Sequence, residues 1–597
     1  MSVNLDKTND CRGAKFCVST IVFIWFVINI LQSVFTTIHE DEAYYALFGE
    51  HLAWGYFDHP PMVALMTFLS SQLFSGLLGV RFFTIIFSCL SLWVIWRITN
   101  LDCFVVPPRK SSDSTLVNDA KRQQTNSKLP TASQLSTSPF ERGAGGINST
   151  LLFFTIAFSI VIINLYGFVT TPDASLILFS ALFLLIYQRY LVENSWKNTL
   201  LMGLTMALMV YSKYHAFLFL GLIVLSNLKL LKDGKFWVAC LVALVLLTPH
   251  IVWQVNADFP SLRYHLSERS EPFHWSYFFE YLPNQLLVFN PFTFGAVVYV
   301  LLKHRVVTAS EAKQSNEDVF ERGLCFILVG FFFFFWLMTF RGHVEPHWTA
   351  VTAIPMVVLL YRKALVDNKL IKYIKWVIAP SLALIIAMRI VLLTSLTDSF
   401  GFCTDKAHYE AIAEAAGDRP VVFRGSFQQP ALYHYFTGKE SSAFCTYYDR
   451  KTQYDLWQFD TTWMGKPVYV YDGQPIEHFQ SANRLATTFI IPTNDDIIHT
   501  NDTLLIPFSI HNPYHQAIDF QDGMVLKLLL LDGNEVRYGF YDPIRLLQPN
   551  ETYSGLFTVI LGQQTKLGKN RLLLGIGDNI AIFAAPENAV NVKIASP

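Results

Sequence analysis

The sequence predicts a membrane-embedded all-α bundle of about eleven spans, followed by an extracytoplasmic α/β segment and a β-sandwich. Three observations predict this architecture. Before about residue 395, apolar runs recur near the ~20-residue length that crosses a bilayer. Lysine and arginine fall mainly in alternate loops between these runs. Beyond that point, short strand-like runs alternate with Asn, Asp, Gly and Pro turns.

The apolar runs set the expected number of membrane spans. They are expected at about 16–38, 79–98, 150–169, 174–190, 199–212, 214–230, 236–254, 284–302, 324–341, 346–361 and 374–394. The first run has no small-residue cleavage site and continues directly into acidic residues. It is therefore expected to remain as a first span that also serves as the export signal.

The distribution of basic residues predicts the orientation of the bundle. Lysine and arginine are concentrated before the first span, in 100–149 and in 362–375, whereas the opposite loops hold few. The basic loops should be cytoplasmic, and an odd number of spans then puts the C-terminal region outside. The expected location is the cell inner membrane, among membrane lipids, with a periplasmic C-terminal region.

Composition divides the chain into three expected domains. Residues 1–395 form the transmembrane domain, with a polar, disordered cytoplasmic insert at 100–149. Residues 396–484 read as an α/β segment and 485–597 as a β-sandwich. Cys403 and Cys445 in the outer region either pair in an oxidising compartment or are two unrelated buried thiols. A net charge of −1 gives no indication of a nucleic-acid partner.

An acidic cluster follows the first predicted span and is the strongest indication of function. Glu40, Asp41 and Glu42 stand where a membrane helix would leave the bilayer, and Asp58 and His59 follow in the same outer loop. Ionisable groups near the hydrocarbon cost free energy, so a chain that keeps them there is expected to use them. Two helices along the membrane interface are expected in this loop, from Ala43 to Trp54 and from Met62 to Leu78.

Other outer turns also contain ionisable residues. Asp173 either caps the helix that follows it or belongs to a site. Lys213, between two apolar runs, either snorkels to the surface or binds a phosphate. Arg263 lies in the longer outer loop 255–283, and the turn 341–348 combines an arginine, two histidines and a glutamate, which favours a contribution to a site.

Together these motifs resemble a known family. A first span is followed by Asp41-Glu42 with two tyrosines, then by Gly55–Pro61, and Pro172-Asp173 comes after the third span. This order resembles the GT-C superfamily of membrane glycosyltransferases. Within it, the chain is most similar to the bacterial relatives of protein O-mannosyltransferases and to the aminoarabinose transferase that acts on lipid A. The likeness covers about residues 16–395.

The resemblance implies a reaction and roles for individual residues. A sugar would move from a polyprenyl-phosphate donor to a lipid, glycan or protein acceptor on the outer face. Asp41 would be the catalytic base, Asp173 would support the geometry of the site, and Lys213 would lie near the donor phosphate. His59 departs from the family pattern, because the aminoarabinose transferase has a lysine there.

The chemistry expected of these residues is a single displacement with inversion, which needs one carboxylate base and cations for the leaving phosphate. The expected catalytic residues are Asp41, Glu42 and Asp173. The residues expected to bind the donor phosphate are Lys213, His59, Arg263 and Arg341. The residues expected to bind other parts of the substrates are Tyr44, Tyr45, Asp58, His343, Glu345 and His347.

Other interpretations stay open at this stage. The acidic and histidine residues are metal-ligand types, but no spacing matches a zinc or calcium pattern, so no cofactor is expected with certainty and a divalent metal ion remains open. A flippase or transporter for lipid-linked sugars would also have many spans, although it usually shows internal repeats. A non-catalytic membrane scaffold with a carbohydrate-binding outer domain, or a polymerase that joins oligosaccharides, would share these features.

Overall fold

The chain folds into two units, residues 1–404 and 405–597. The structure is a computed structural model, and most of both units is described. The described residues are 3–100, 148–268, 273–303, 315–403, 405–425, 427–444, 451–471, 474–490, 497–521, 524–531, 535–541, 546–562, 565–577, 582–583 and 589–596. Nearly all of the insert predicted at 100–149 therefore lies outside the described residues, as do Arg269 of the 255–283 loop and Cys445.

The first unit is helical. Its helices are α1 (Val3–Phe35), α2 (Glu40–Glu50), α3 (Met62–Ser71), α4 (Gly76–Thr99), α5 (Ser149–Phe158), α6 (Val161–Leu165), α7 (Pro172–Val192), α8 (Trp196–Ser212), α9 (His215–Ser226), α10 (Gly234–Asn256), α11 (Pro260–Arg263), α12 (Trp275–Phe289), α13 (Pro291–Lys303), α14 (Asn316–Met338), α15 (Ala353–Ala364), α16 (Asn368–Tyr373) and α17 (Ala379–Val391). A π-turn joins α16 to α17, and a 3₁₀ segment, Pro346–Thr352, leads into α15.

Six of the described helical segments are long and apolar enough to cross a membrane, and a bent pair raises the number to seven. The six lie in α1, α4, α7, α10, α14 and the joined α16–α17. The bent pair is α12 and α13, which meet at 101°. The predicted number of eleven spans is not confirmed, because several predicted spans form helices too short for a hydrocarbon layer of roughly 30 Å at about 1.5 Å per residue.

Chain breaks within the apolar runs explain the shorter helices. The run 150–169 is divided at Ser159-Ile160 into α5 and α6. The run 284–302 breaks at Asn290, which adopts a positive φ of 64° directly before a proline. Apolar composition alone does not reveal such breaks, since the residues on both sides remain hydrophobic.

The exposed surface of the long helices is apolar, as expected for a bundle surrounded by lipid. In α10, Leu241, Leu244, Val245 and Val252 are all exposed. A soluble protein seldom leaves such a continuous apolar face open to water. Inside the bundle, one apolar core joins residues of nearly all the long helices.

The second unit combines a small α/β part with mainly antiparallel sheets. Its helices are α18 (Lys406–Ala416), α19 (Gln428–Thr437), α20 (Gln453–Trp457) and α21 (Phe459–Trp463). The strands of its first sheet are β1 (Val421–Arg424), β2 (Ser441–Phe444), β3 (Val468–Val470) and β4 (Gln474–Ile476), in the order β2-β1-β3-β4. β1 pairs in parallel with both β2 and β3, and α19 packs on β1 and β2.

The remaining described strands follow in chain order. They are β5 (Ala486–Phe489), β6 (Ile497–His499), β7 (Thr503–His511), β8 (Ile518–Asp519), β9 (Val525–Leu530), β10 (Glu535–Tyr538), β11 (Phe540–Tyr541), β12 (Leu546–Leu547), β13 (Thr552–Ile560), β14 (Gly568–Gly577), β15 (Ile582–Phe583) and β16 (Val590–Ala595). One sheet has the order β10-β9-β14-β16-β6, in which β16 and β6 pair in parallel, with β15 on β14; another has the order β11-β13-β7-β5. Side chains of β7 alternate between buried and more exposed positions, and the buried ones share an apolar core with β9 and β14.

Close packing of α8 on α10 gives a first prediction. A Cβ atom on Gly203 would lie 2.6 Å from the Ala239 carbonyl oxygen and 2.8 Å from the Val242 Cβ. We expect Gly203→Val to destabilise the bundle by about 1–3 kcal/mol, because the two helix backbones must separate. Gly221→Val in α9 is the matched control, since nothing lies within 4 Å of its Cβ position. Thermal unfolding of the purified protein in detergent measures both; equal melting temperatures for the two variants would contradict this packing.

Candidate active site

The acidic cluster begins helix α2, and His39 caps that helix. The His39 Nδ1 accepts a hydrogen bond from the Asp41 N–H at 3.1 Å, and the Glu42 carboxylate accepts one from the His39 N–H at 3.0 Å. These bonds satisfy backbone groups that a helix start would leave without partners. Asp41 therefore lies in the first turn, where the helix dipole favours its negative charge. Its side chain is 39% exposed.

Glu42 and Arg81 form a fully buried ion pair, with both side chains 0% exposed. Arg81 donates from Nε at 2.8 Å and from one terminal nitrogen at 2.5 Å to the two oxygens of Glu42. Its other N–H groups donate to the carbonyls of Ser33, Thr36 and Thr37 at 2.7–2.9 Å. All five guanidinium N–H groups are thus used, and the pair connects the end of α1 to the starts of α2 and α4.

The same carboxylate also fixes the turn before α7. Glu42 accepts the Thr170 N–H at 2.7 Å. The Thr170 hydroxyl lies 2.8 Å from the hydroxyl of Thr84 and donates to the Val80 carbonyl at 3.0 Å. One buried side chain therefore holds both α2, which carries Asp41, and the turn that precedes Pro172.

Asp173 and Lys213 form a second buried ion pair. The Lys213 Nζ lies 2.6 Å from the Asp173 carboxylate, and the two side chains are 7% and 2% exposed. Lys213 follows the end of α8 in an extended conformation, which directs its chain inward at the break before α9. Its ammonium is therefore held inside the protein and does not snorkel to the surface.

The side chain of Tyr45 interacts with several of the predicted site residues. Its hydroxyl lies 3.2 Å from the His59 Nε2. Burial raises the pKa of the Tyr45 phenol well above its usual value, so the phenol stays protonated and able to donate. The carboxylates that raise this pKa further are those of Asp41, Asp58 and Asp173. Carboxylates predicted from three separate stretches therefore act electrostatically on one buried phenol.

A second tyrosine, Tyr166, extends this cluster. Its phenol lies in the electrostatic field of Asp173, Asp41 and Glu345. Its ring centre is 6.5 Å from that of His347. The turn 341–348 thus lies near the same region as the loop between α1 and α4, and four carboxylates from distant parts of the sequence act electrostatically on the two phenols.

Two of the predicted phosphate-binding arginines have partners in the loop 258–268. Arg263 pairs with Asp258 at 2.7 Å, and both side chains are mostly exposed. Arg341 donates to the Leu266 carbonyl at 2.8 Å. These contacts tie both guanidinium groups to that loop.

The other predicted residues occupy two different settings. Tyr44 is buried, with its ring centre 4.5 Å from that of Phe48, and so packs within the helical core. The His343 Nε2 is 3.8 Å from the Glu345 carboxylate, and both side chains are 40% exposed. His343 and Glu345 thus lie on an accessible face of their turn.

Sequence reasoning missed a polar network that positions the segment before Asp58. His250 in α10 approaches the Trp54 carbonyl with Nδ1 at 2.6 Å and the Tyr214 hydroxyl with Nε2 at 3.2 Å. Ser261 donates to the Tyr56 carbonyl at 2.9 Å. A histidine inside a predicted span was the available signal. Arg81 was missed as well, and an arginine at the start of the apolar run 79–98 was its signal.

A small cavity lies inside the bundle next to Tyr166. Its volume is about 20 Å³, and its lining includes Ser88, Ser91 and Ala174. That volume holds about one water molecule. Within the part of the chain that the structure describes, no group of three His, Cys, Asp or Glu side chains is arranged to hold a metal ion.

One known family matches part of the chain. The model of a family described as dolichyl-phosphate-mannose-protein mannosyltransferase matches residues 146–253. The match includes Asp173 and Lys213 and confirms the resemblance to GT-C glycosyltransferases related to protein O-mannosyltransferases and the aminoarabinose transferase. No curated protein matches the chain. The apolar helices and the family match together identify a multi-pass membrane protein and point to glycosyltransferase activity.

The buried pair at the start of α2 gives a second prediction. We expect Arg81→Met to destabilise the first unit by about 3–5 kcal/mol, because it leaves the Glu42 charge buried without its cation. Arg97→Met, at the other end of α4, is the control; that guanidinium lies over the Trp93 ring at 5.2 Å. Folded yield and melting temperature in detergent measure the effect. Similar losses in both variants would contradict a special role for the Glu42–Arg81 pair.

Proposed function

We propose that this protein is an integral membrane glycosyltransferase of the cell inner membrane. It moves a sugar from a polyprenyl-phosphate donor to a lipid, glycan or protein acceptor on the extracytoplasmic face. The observation that carries the proposal is the accessible carboxylate of Asp41 at the start of α2, together with the buried Lys213–Asp173 pair, whose carboxylate acts on the same Tyr45 phenol as that of Asp41. The family match supports the same class of reaction.

The exposed fractions of the carboxylates favour Asp41 as the base. A general base must reach the proton that it removes, within hydrogen-bond distance. The side chain of Asp41 is 39% exposed, whereas those of Asp173 and Glu42 are 2% and 0% exposed and each lies in a short ion pair. Asp41 can therefore reach an acceptor hydroxyl, whereas Asp173 and Glu42 support it from inside the protein.

The proposed reaction is a single displacement. The acceptor oxygen attacks the anomeric carbon and forms the new glycosidic bond, while the bond from that carbon to the phosphate oxygen breaks. The proton of the hydroxyl passes to Asp41, and the electron pair of the broken bond leaves with the polyprenyl phosphate. One attack from the face opposite the leaving group inverts the configuration.

Negative charge grows on the leaving phosphate, so fixed cations lower the barrier. Lys213 is proposed to act here, because its ammonium is held at the cluster by Asp173. His59 is proposed to contribute a donor, since Tyr45 fixes its ring. Arg263 and Arg341 are proposed to bind the phosphate or the acceptor at the loop 258–268.

The remaining residues are proposed to shape the substrate site. His343, Glu345 and His347 would line it on the side of the turn 341–348, whereas Tyr44 would act through packing. Glu42, which is buried and fully paired, is proposed as a positioning residue for Asp41. The second unit is proposed to lie on the extracytoplasmic side, which agrees with the distribution of basic loops.

Replacing the proposed base gives a third prediction. We expect Asp41→Asn to lower the rate of sugar transfer by about 10²–10⁴-fold, because an amide cannot accept the proton. The measurement is mass spectrometry of envelope lipids, glycans and proteins from cells that lack the gene or carry the wild type, D41N or E50Q. Glu50→Gln, at the exposed far end of α2, is the control. A gene-dependent sugar that persists at the wild-type level in D41N cells would exclude Asp41 as the base.

The second ion pair gives a fourth prediction, which separates stability from chemistry. Lys213→Met should destabilise the protein by about 3–5 kcal/mol, because Asp173 is left charged and buried. The double variant Asp173→Asn with Lys213→Met should recover most of that stability and still lack transfer activity. Melting temperature and gene-dependent sugar are measured for both variants. Recovery of activity together with stability would show that the pair is only structural.

A further inference from the structure

The start of α2 is paired with a segment more than 350 residues away in the sequence. The Glu40 N–H donates to the Gly401 carbonyl, and the Cys403 N–H donates to the Ile38 carbonyl, both at 2.9 Å. His39 and Phe402 face each other between these bonds as an antiparallel bridge. The segment Gly401–Cys403 thus lies beside the residues that lead into Asp41 and is joined to them by a single β-bridge.

Side chains reinforce this pairing. Phe402 is 4% exposed, and its ring meets the His39 ring edge-on with centres 5.2 Å apart. Gly401 has a φ of 79°, a conformation that side chains disfavour. A Cβ there would also lie 2.7 Å from the His39 Nε2. Both the positive φ of this residue and the closeness of the His39 ring therefore require glycine at this position.

The paired segment completes the helix start that His39 begins. A helix leaves its first N–H groups without internal partners. The Gly401 carbonyl accepts a hydrogen bond from the Glu40 N–H, and the His39 ring accepts one from the Asp41 N–H. Phe402 holds the same ring from the side, so the segment controls the cap of the turn that carries Asp41.

We propose that Gly401–Cys403 is a positioning element for Asp41 in the transfer reaction. This inference rests on the proposed function, because it assigns the segment to the same site. The segment follows the last span and is followed directly by the second unit, which begins at Asp405.

The substitution Gly401→Ala tests the proposal. It should lower kcat for sugar transfer by on the order of tenfold or more, with KM for the donor nearly unchanged, because displacement of His39 misaligns Asp41 without removing a binding group. Gly417→Ala is the matched control. That glycine also has a positive φ, of 63°, but nothing lies within 4 Å of its Cβ position. An equal loss of kcat in both variants would overturn the proposal.

A double variant tests whether the effect passes through His39. Replacing His39 with serine keeps a residue that caps helices well but removes the ring. His39→Ser in the Gly401→Ala background should recover most of the lost kcat, since the clash is gone. If the two substitutions lower kcat independently, so that their fold-changes multiply, the segment does not act through the cap.

Hydrogen exchange on the wild-type protein tests the pairing without any activity assay. The amides of Glu40 and Cys403 should exchange slowly, as expected for bonded groups. Fast exchange at both amides would overturn the proposal even if Gly401→Ala fails to fold. Slow exchange in a protein without any gene-dependent sugar would instead contradict the proposed function and leave the pairing intact.

Discussion

The buried ion pair between Glu42 and Arg81 is the interaction on which the site depends. A charge of either sign inside this bundle would be costly by itself. In this pair each charge lies against its opposite, and the remaining N–H groups of Arg81 donate hydrogen bonds to carbonyls at the end of α1. The pair joins α1, α2, α4 and the turn before α7, so the position of Asp41 relative to Asp173 follows from it.

This arrangement explains how neighbouring carboxylates can differ in role. Glu42 and Asp41 are adjacent in sequence, but the helix turns them in different directions. Glu42 faces the interior, where its carboxylate oxygens accept several hydrogen bonds, whereas Asp41 stays accessible beside the capping His39. In the proposed reaction, the group that must meet the substrate is thus held on a rigid support, which limits the freedom it loses when the substrate binds.

Part of this structure could be predicted from the sequence. The long apolar runs indicated a helical membrane part, and the short alternating runs indicated strands, because hydrophobic period reports local structure. The turns that carry Asp41, Asp173 and Glu345 could be recognised from their ionisable residues at the ends of apolar runs. The number of spans could not be predicted, since breaks such as the one at Asn290 leave the apolar composition unchanged.

Long-range pairing was beyond sequence reasoning for a different reason. Arg81 and Lys213 each have a partner about 40 residues away, and Gly401 meets His39 across the whole first unit. A sequence shows that a buried charge needs a partner but does not say which one. The interpretation of Lys213 as a snorkelling residue failed because the carboxylate of Asp173 was within its reach.

The account depends most on Asp41 facing the extracytoplasmic side at the edge of the membrane. Cysteine labelling measures this directly, with Asp41→Cys in a background free of other cysteines and a maleimide that does not cross membranes. The account predicts labelling of position 41 from the periplasmic side in intact cells with a permeabilised outer membrane. Labelling only after the cytoplasmic face has been exposed would contradict it.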